Sequence, residues 1–135
     1  MIIVPDFEYF LFSPVHTIEI ASSGCDDPPA NGEDCNKAVG SIVVDGEEVS
    51  KDQFGFNIVV LGYPSFKIKT VKNFNTNMDI AKSQRMSSFL MGLQGTNILL
   101  VAVKGDVAGA VSQEVWDTLV SISIETISKQ LSEAY

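Results

Sequence analysis

The sequence predicts an α/β (α+β) domain whose first half pairs its strands mostly antiparallel. Three observations carry that expectation. "VHTIEIASSG" alternates apolar and polar residues, "GSIVVDGEEVS" places Asp-Gly between two apolar runs, and the period changes to helical spacing after Met78.

In chain order, Thr17, Ile18, Glu19 and Ile20 give the period-2 pattern of a half-buried strand. Ile42–Val44 is a short strand that turns at Asp45-Gly46, because both central residues of a tight hairpin turn favour positive φ. Glu47–Val49 is its return. "FNIVVLG", apolar but for Asn57, reads as a strand covered on both faces. "YPSF" turns the chain at Pro64, and "KIKTVKNF" returns with Ile68 and Thr70 on a buried face and Lys67 and Lys69 on a wet one. Met86, Phe89, Leu90 and Leu93 fall at i, i+3, i+4, i+7 on one side of a helix that ends near Gly92 and Gly95. "NILLVAVKGD" is a further buried strand. A second helix starts at the N-cap Ser112 with Glu114 in its first turn, and "SIETISKQLSEAY" reads as a third, short one.

The chain has 135 residues, enough for one domain with a real core, and 45% of them are hydrophobic, which argues against disorder. Nine Lys and Arg against seventeen Asp and Glu give a net charge of −8. So few cations promise no large basic patch, so neither nucleic acid nor an anionic membrane surface is the expected partner. No apolar run reaches the roughly 20 residues of a membrane span, so no direct membrane insertion is expected. "MIIVPDFEYFLFSPV" has no basic start and is broken by Pro5, Asp6 and Glu8, unlike an ordinary signal peptide. Residues 1–14 are read as an N-terminal extension to a domain at 15–135, and the chain as part of a larger protein.

Cys25 and Cys35 lie in "SSGCDDPPANGEDCNK", a loop of turn formers that a disulfide would pin. Free thiols and a metal site are the alternatives, the latter needing soft ligands beyond the lone His16. His16 is expected to be structural or solvent-exposed and not catalytic, since it sits on a strand next to a proline turn near the terminus. The carboxylate pairs Asp26/Asp27, Glu33/Asp34 and Glu47/Glu48 fall in turns and read as solvated. No phosphate-binding glycine motif occurs. No catalytic residue, cofactor or metal is therefore expected, and the chain is not read as an enzyme. What remains is "VKGDVAGA", which leaves a buried strand for a helix N-terminus, where Lys104 and Asp106 offer a donor and an acceptor of the kind that hold sugar hydroxyls. Trp116 and Tyr63 are stacking candidates. A plain strand–helix connection is the competing account of the same residues.

Taken together, "FGFNIVVLGYPSFKIKTVKNFNTN", "SSFLMGLQGTNILLVAVKGD" and "SQEVWDTLVSI" resemble the interleukin-like EMT inducer domain family, also called the PANDER-like or GG domain. The matching features are Gly55, Asn57–Leu61, Phe74-Asn75-Thr76, Gly95, Ile98–Lys104 and Ser112–Leu119, with "HTIEIASSG" and the Asp45-Gly46 hairpin upstream. The resemblance implies two mostly antiparallel sheets packed together, a β sandwich, with two to three flanking helices. It also implies an extracellular or secretory-lumen setting, as in secreted cytokine-like proteins and in modules of glycan-handling proteins.

A non-catalytic module that binds a glycan or a protein receptor is thus expected. The alternative is a structural interaction domain of a larger surface protein or assembly. Phe54 stands where the family often has arginine, and Gly105 intervenes before Asp106. The family's last strand is expected to be missing after Tyr135, which would leave an edge at the C-terminal side open to a partner strand.

Overall fold

The computed structural model describes residues 2–4, 8–12, 16–76 and 79–105. They form eight strands: β1 (Ile2–Val4), β2 (Glu8–Phe12), β3 (His16–Ser22), β4 (Gly40–Val44), β5 (Glu47–Glu48), β6 (Gly55–Gly62), β7 (Ile68–Phe74) and β8 (Asn97–Lys104). One α-helix, α1 (Ile80–Met91), and a 3-10 turn at Cys35–Lys37 complete the described elements.

The strands make two four-stranded sheets, ordered β1-β8-β6-β7 and β2-β3-β4-β5. Every pairing is antiparallel except β1 with β8, where Ile2 lies opposite Ile98. The segment read as an N-terminal extension thus supplies a strand to each sheet. With β1 on one side and β6 on the other, β8 is not an edge strand.

The two sheets pack face to face. Ile18, Ile20, Ile42 and Val44 of the β3 sheet share one core with Val59, Leu61, Ile98, Leu100 and Ala102 of the β6 sheet. The opposite face of the β6 sheet carries a second core, in which Phe56, Ile58, Val60, Leu99 and Val101 meet Met86 and Leu90 of α1. Burial on both faces is why β6 and β8 read as nearly continuous apolar runs, whereas β3 and β4 alternate.

Local signals were accurate at the β4–β5 turn and at the end of α1. Asp45 and Gly46 have φ of 52° and 80°, as the hairpin requires. Asp79 caps α1 by accepting from the Lys82 amide at 3.1 Å, and Gly92 ends it. Strand β7 departs from its alternation. The register slips between Val60 and Leu61, so that Thr70 and then Ile68 are paired and Lys69 is skipped. Ile68, expected on the buried face, is 48% exposed on this outermost described strand. The expected two to three flanking helices are not supported either: the described residues carry one α-helix, and the helices read from residue 112 onward lie outside them.

His16 ties the two sheets at one end. Its ring stacks on Phe66, in the β6–β7 turn, with centroids 4.2 Å apart, and its Nδ1 lies 2.9 Å from Asp45 Oδ2 in the β4–β5 turn. Asp45 Oδ1 also accepts from the Thr17 amide. The hydrogen bond from His16, followed by that amide, holds the Asp45 carboxyl below the usual carboxylate range. A lowered folded-state pKa means stability that is complete above the ordinary carboxylate value and is lost as pH falls through the lowered one. Acid titration of unfolding should therefore be shallower below about pH 4 in Asp45→Asn than in the parent. Identical acid limbs would show that this carboxylate does not contribute.

Candidate functional site

The chemistry expected of Lys104 sits at the corner where the two sheets meet. Ser22, the last residue of β3, accepts the Val103 amide on its Oγ at 2.8 Å, and the Gly105 amide donates to the Ser23 carbonyl at 2.9 Å. Ser23 Oγ accepts in turn from the Val39 amide. Ser22 and Ser23 thereby carry the chain edge of one sheet onto the end of the other. Gly40 is required there, since a Cβ on it would lie 2.7 Å from Asn57 Nδ2 and 2.8 Å from Lys104 Cβ.

Lys104 is largely enclosed. Its Nζ donates to the Asp52 carbonyl at 3.1 Å, lies 3.7 Å from Asp52 Oδ1 and sits 5.2 Å from the centre of the Phe54 ring. Asp52 is itself fixed, because its Oδ1 accepts the Gly40 amide at 2.8 Å. The loop 51–54 is held from below by two carboxamides. Buried Asn57 donates to the Gln53 carbonyl at 2.7 Å and accepts the Gln53 amide and Asn73 Nδ2, while Asn73 also donates to the Phe54 carbonyl at 3.1 Å. This is a polar cluster whose members satisfy one another, the condition under which polar groups are tolerated in a core.

The Cys25–Cys35 disulfide stands beside this corner. A Cβ on Gly105 would meet the Phe54 ring at 2.8 Å and Cys35 Sγ at 3.6 Å, so ring, sulfur and chain exit are in close contact. The carboxylates of the cysteine loop serve the loop itself: Asp27 accepts the Gly24 amide and Asp34 the Asn36 amide. Among the described residues, no group of three or more His, Cys, Asp or Glu is placed to hold a metal ion, and no helix is long and apolar enough to cross a membrane.

The other sequence-predicted residues do not join Lys104. Tyr63 is half exposed in the β6–β7 turn, next to Gly62, which pairs with Asn97; Lys104 pairs with Gly55. Seven residues of strand separate the two pairings, roughly 23 Å, so Tyr63 and Lys104 cannot grip one small ligand. Asp106 and Trp116 lie outside the described residues.

Charge is the signal that the residue-by-residue reading missed. Between residues 53 and 105 the sequence has one carboxylate, Asp79, against Lys67, Lys69, Lys72, Lys82, Arg85 and Lys104. The acidic excess thus falls in the rest of the chain, and the β7–α1 region is basic. The expectation that nine cations build no patch took the net charge as a proxy for its distribution.

A protein-family model described as interleukin-like EMT inducer matches residues 54–133, more than half of the chain. Comparison with curated proteins and with solved structures returned no match.

Two outcomes test the corner. Asn57→Ala should cost about 1–3 kcal/mol in urea unfolding, because it removes the carboxamide to which the part-buried Gln53 amide and carbonyl bond. An unchanged midpoint would mean that water replaces the carboxamide freely. Removing the disulfide as Cys25→Ser with Cys35→Ser should cost roughly 2–3 kcal/mol through freedom regained by the unfolded loop, read as a lower melting temperature.

Proposed function

As this chain belongs to the interleukin-like EMT inducer family, we propose that it is a non-catalytic, extracellular binding module that recognises a glycan or a cell-surface receptor. The observation that carries the reading is the family match over residues 54–133, whose span runs from Phe54 through β8 and the Lys104 corner. The disulfide-bonded loop against that corner supports an oxidising compartment, where such bridges persist. At the corner, backbone groups and a cation converge at a strand end, a place where folds of this kind can display a loop to a ligand. The residues of the site on this reading are Lys104 and Asp106, with Trp116 as a stacking surface.

One observation favours the second reading, a structural interaction domain within a larger surface protein. Lys104 is already committed to Asp52 and Phe54, and a cation so engaged gives up internal contacts to meet a ligand.

A glycan array probed with the full chain, alongside a melting curve, separates the two. Retention on one glycan class, lost in Asp106→Ala at unchanged melting temperature, is the expected result. A folded protein retained by no glycan would turn the assignment to the structural reading.

A further inference from the structure

The basic side of the molecule points to a ligand chemistry that the Lys104 corner does not. On β7, Lys72 lies opposite Ile58 and Phe74 opposite Phe56, so both stand on the face that α1 covers. On α1, Lys82, Arg85 and Phe89 follow at intervals of three and four residues and so share one flank. The rings of Phe89 and Phe74 are 5.7 Å apart, which turns that flank toward β7. Lys67, Lys72, Lys82 and Arg85 are all exposed, and Phe74 and Phe89 are both partly so.

Two of the neighbouring cations are occupied. Lys69 reaches the buried Asn97 Oδ1 at 2.7 Å, and Lys82 lies 4.0 Å from Asp79. Among the described residues no carboxylate pairs with Lys67, Lys72 or Arg85.

We propose that this β7–α1 surface docks a linear acidic glycan, one bearing repeated sulfate or carboxylate groups. It takes from the reading above only that the partner is a glycan. The arrangement selects that chemistry in two ways. Lys67 immediately precedes β7 and Lys72 lies within it, so the two cations follow one another along the strand direction, at most about 17 Å apart, which suits charges repeated along an extended chain. The Phe74 and Phe89 rings, in contact with each other, share a strand face with Lys72 and a helix flank with Arg85, where a ring face can pack against the apolar face of a sugar. An acidic peptide would use the cations and leave the rings without a specific partner.

The test uses the full chain and heparin as probe, with polyglutamate and double-stranded DNA as polyanions lacking that sugar backbone. Heparin should bind, more weakly as salt rises, and at least roughly tenfold more tightly than either control polymer. Lys72→Glu with Arg85→Glu should reduce heparin binding by about tenfold or more at unchanged melting temperature. Lys37→Glu with Lys51→Glu changes the net charge equally on another part of the surface and should leave most of the binding. Equal loss in both pairs, equal affinity for the control polymers, or no heparin binding would each overturn the assignment. So would self-association abolished by the β7–α1 pair, which would make a second copy the occupant. Failure with heparin while a neutral glycan is retained on the array would sink this inference and leave the binding-module reading standing. Failure in both would remove the two together.

Discussion

The fold depends on the burial of β6 and β8 from both sides. One face meets the β3 sheet and the other meets α1, so two cores share a single layer of backbone. Every polar group in that layer must then be answered locally. Asn57 near one end of β6 and Asn97 at the start of β8 are both buried and both satisfied, the first by Gln53 and Asn73, the second by Lys69, Gln94 and Gly95. Lys104, at the far end of β8, follows the same rule through Asp52. Polar side chains at these strand ends are also the means by which a doubly covered strand is ended.

That constraint explains what was legible. A strand buried on both faces has to be apolar wherever no local partner answers a polar group, so "FNIVVLG" and "NILLVAV", each with a single asparagine, declared themselves. Asp45-Gly46 fixed its hairpin because the turn's backbone excludes most other residues. Asp79, by contrast, was not singled out as a cap, although it stands at the helix start. Ile68 misled because alternation is a rule for unbroken register, and a one-residue slip in the pairing with β6 has no signature in the residues of β7. The opening residues misled differently: Pro5 and Asp6 fall between two short strand segments that belong to different sheets, Glu8 opens the second, and a break between elements reads as an absence of both.

The site was legible only in part. Lys104 was found because it ends a buried strand, but its partner Asp52 sits in a loop whose shape depends on Asn57 and Asn73, a tertiary arrangement without sequence periodicity. The basic side was missed although its signal is simple. A run of fifty residues almost free of carboxylates is plain in the sequence once charge is read by position.

The pairing of β1 with β8 has a consequence for how the chain reaches this structure. Ile2 meets Ile98 and Ser22 meets Val103, so the first strand and the corner both wait for the last described strand. The hairpins β2–β3, β4–β5 and β6–β7 are instead closed by near neighbours in sequence. During synthesis those hairpins are complete while β6 still lacks its β8 neighbour, and an apolar strand stays exposed along one edge until residue 104 has emerged. A topology dominated by such distant contacts folds slowly and is vulnerable to association in the interval.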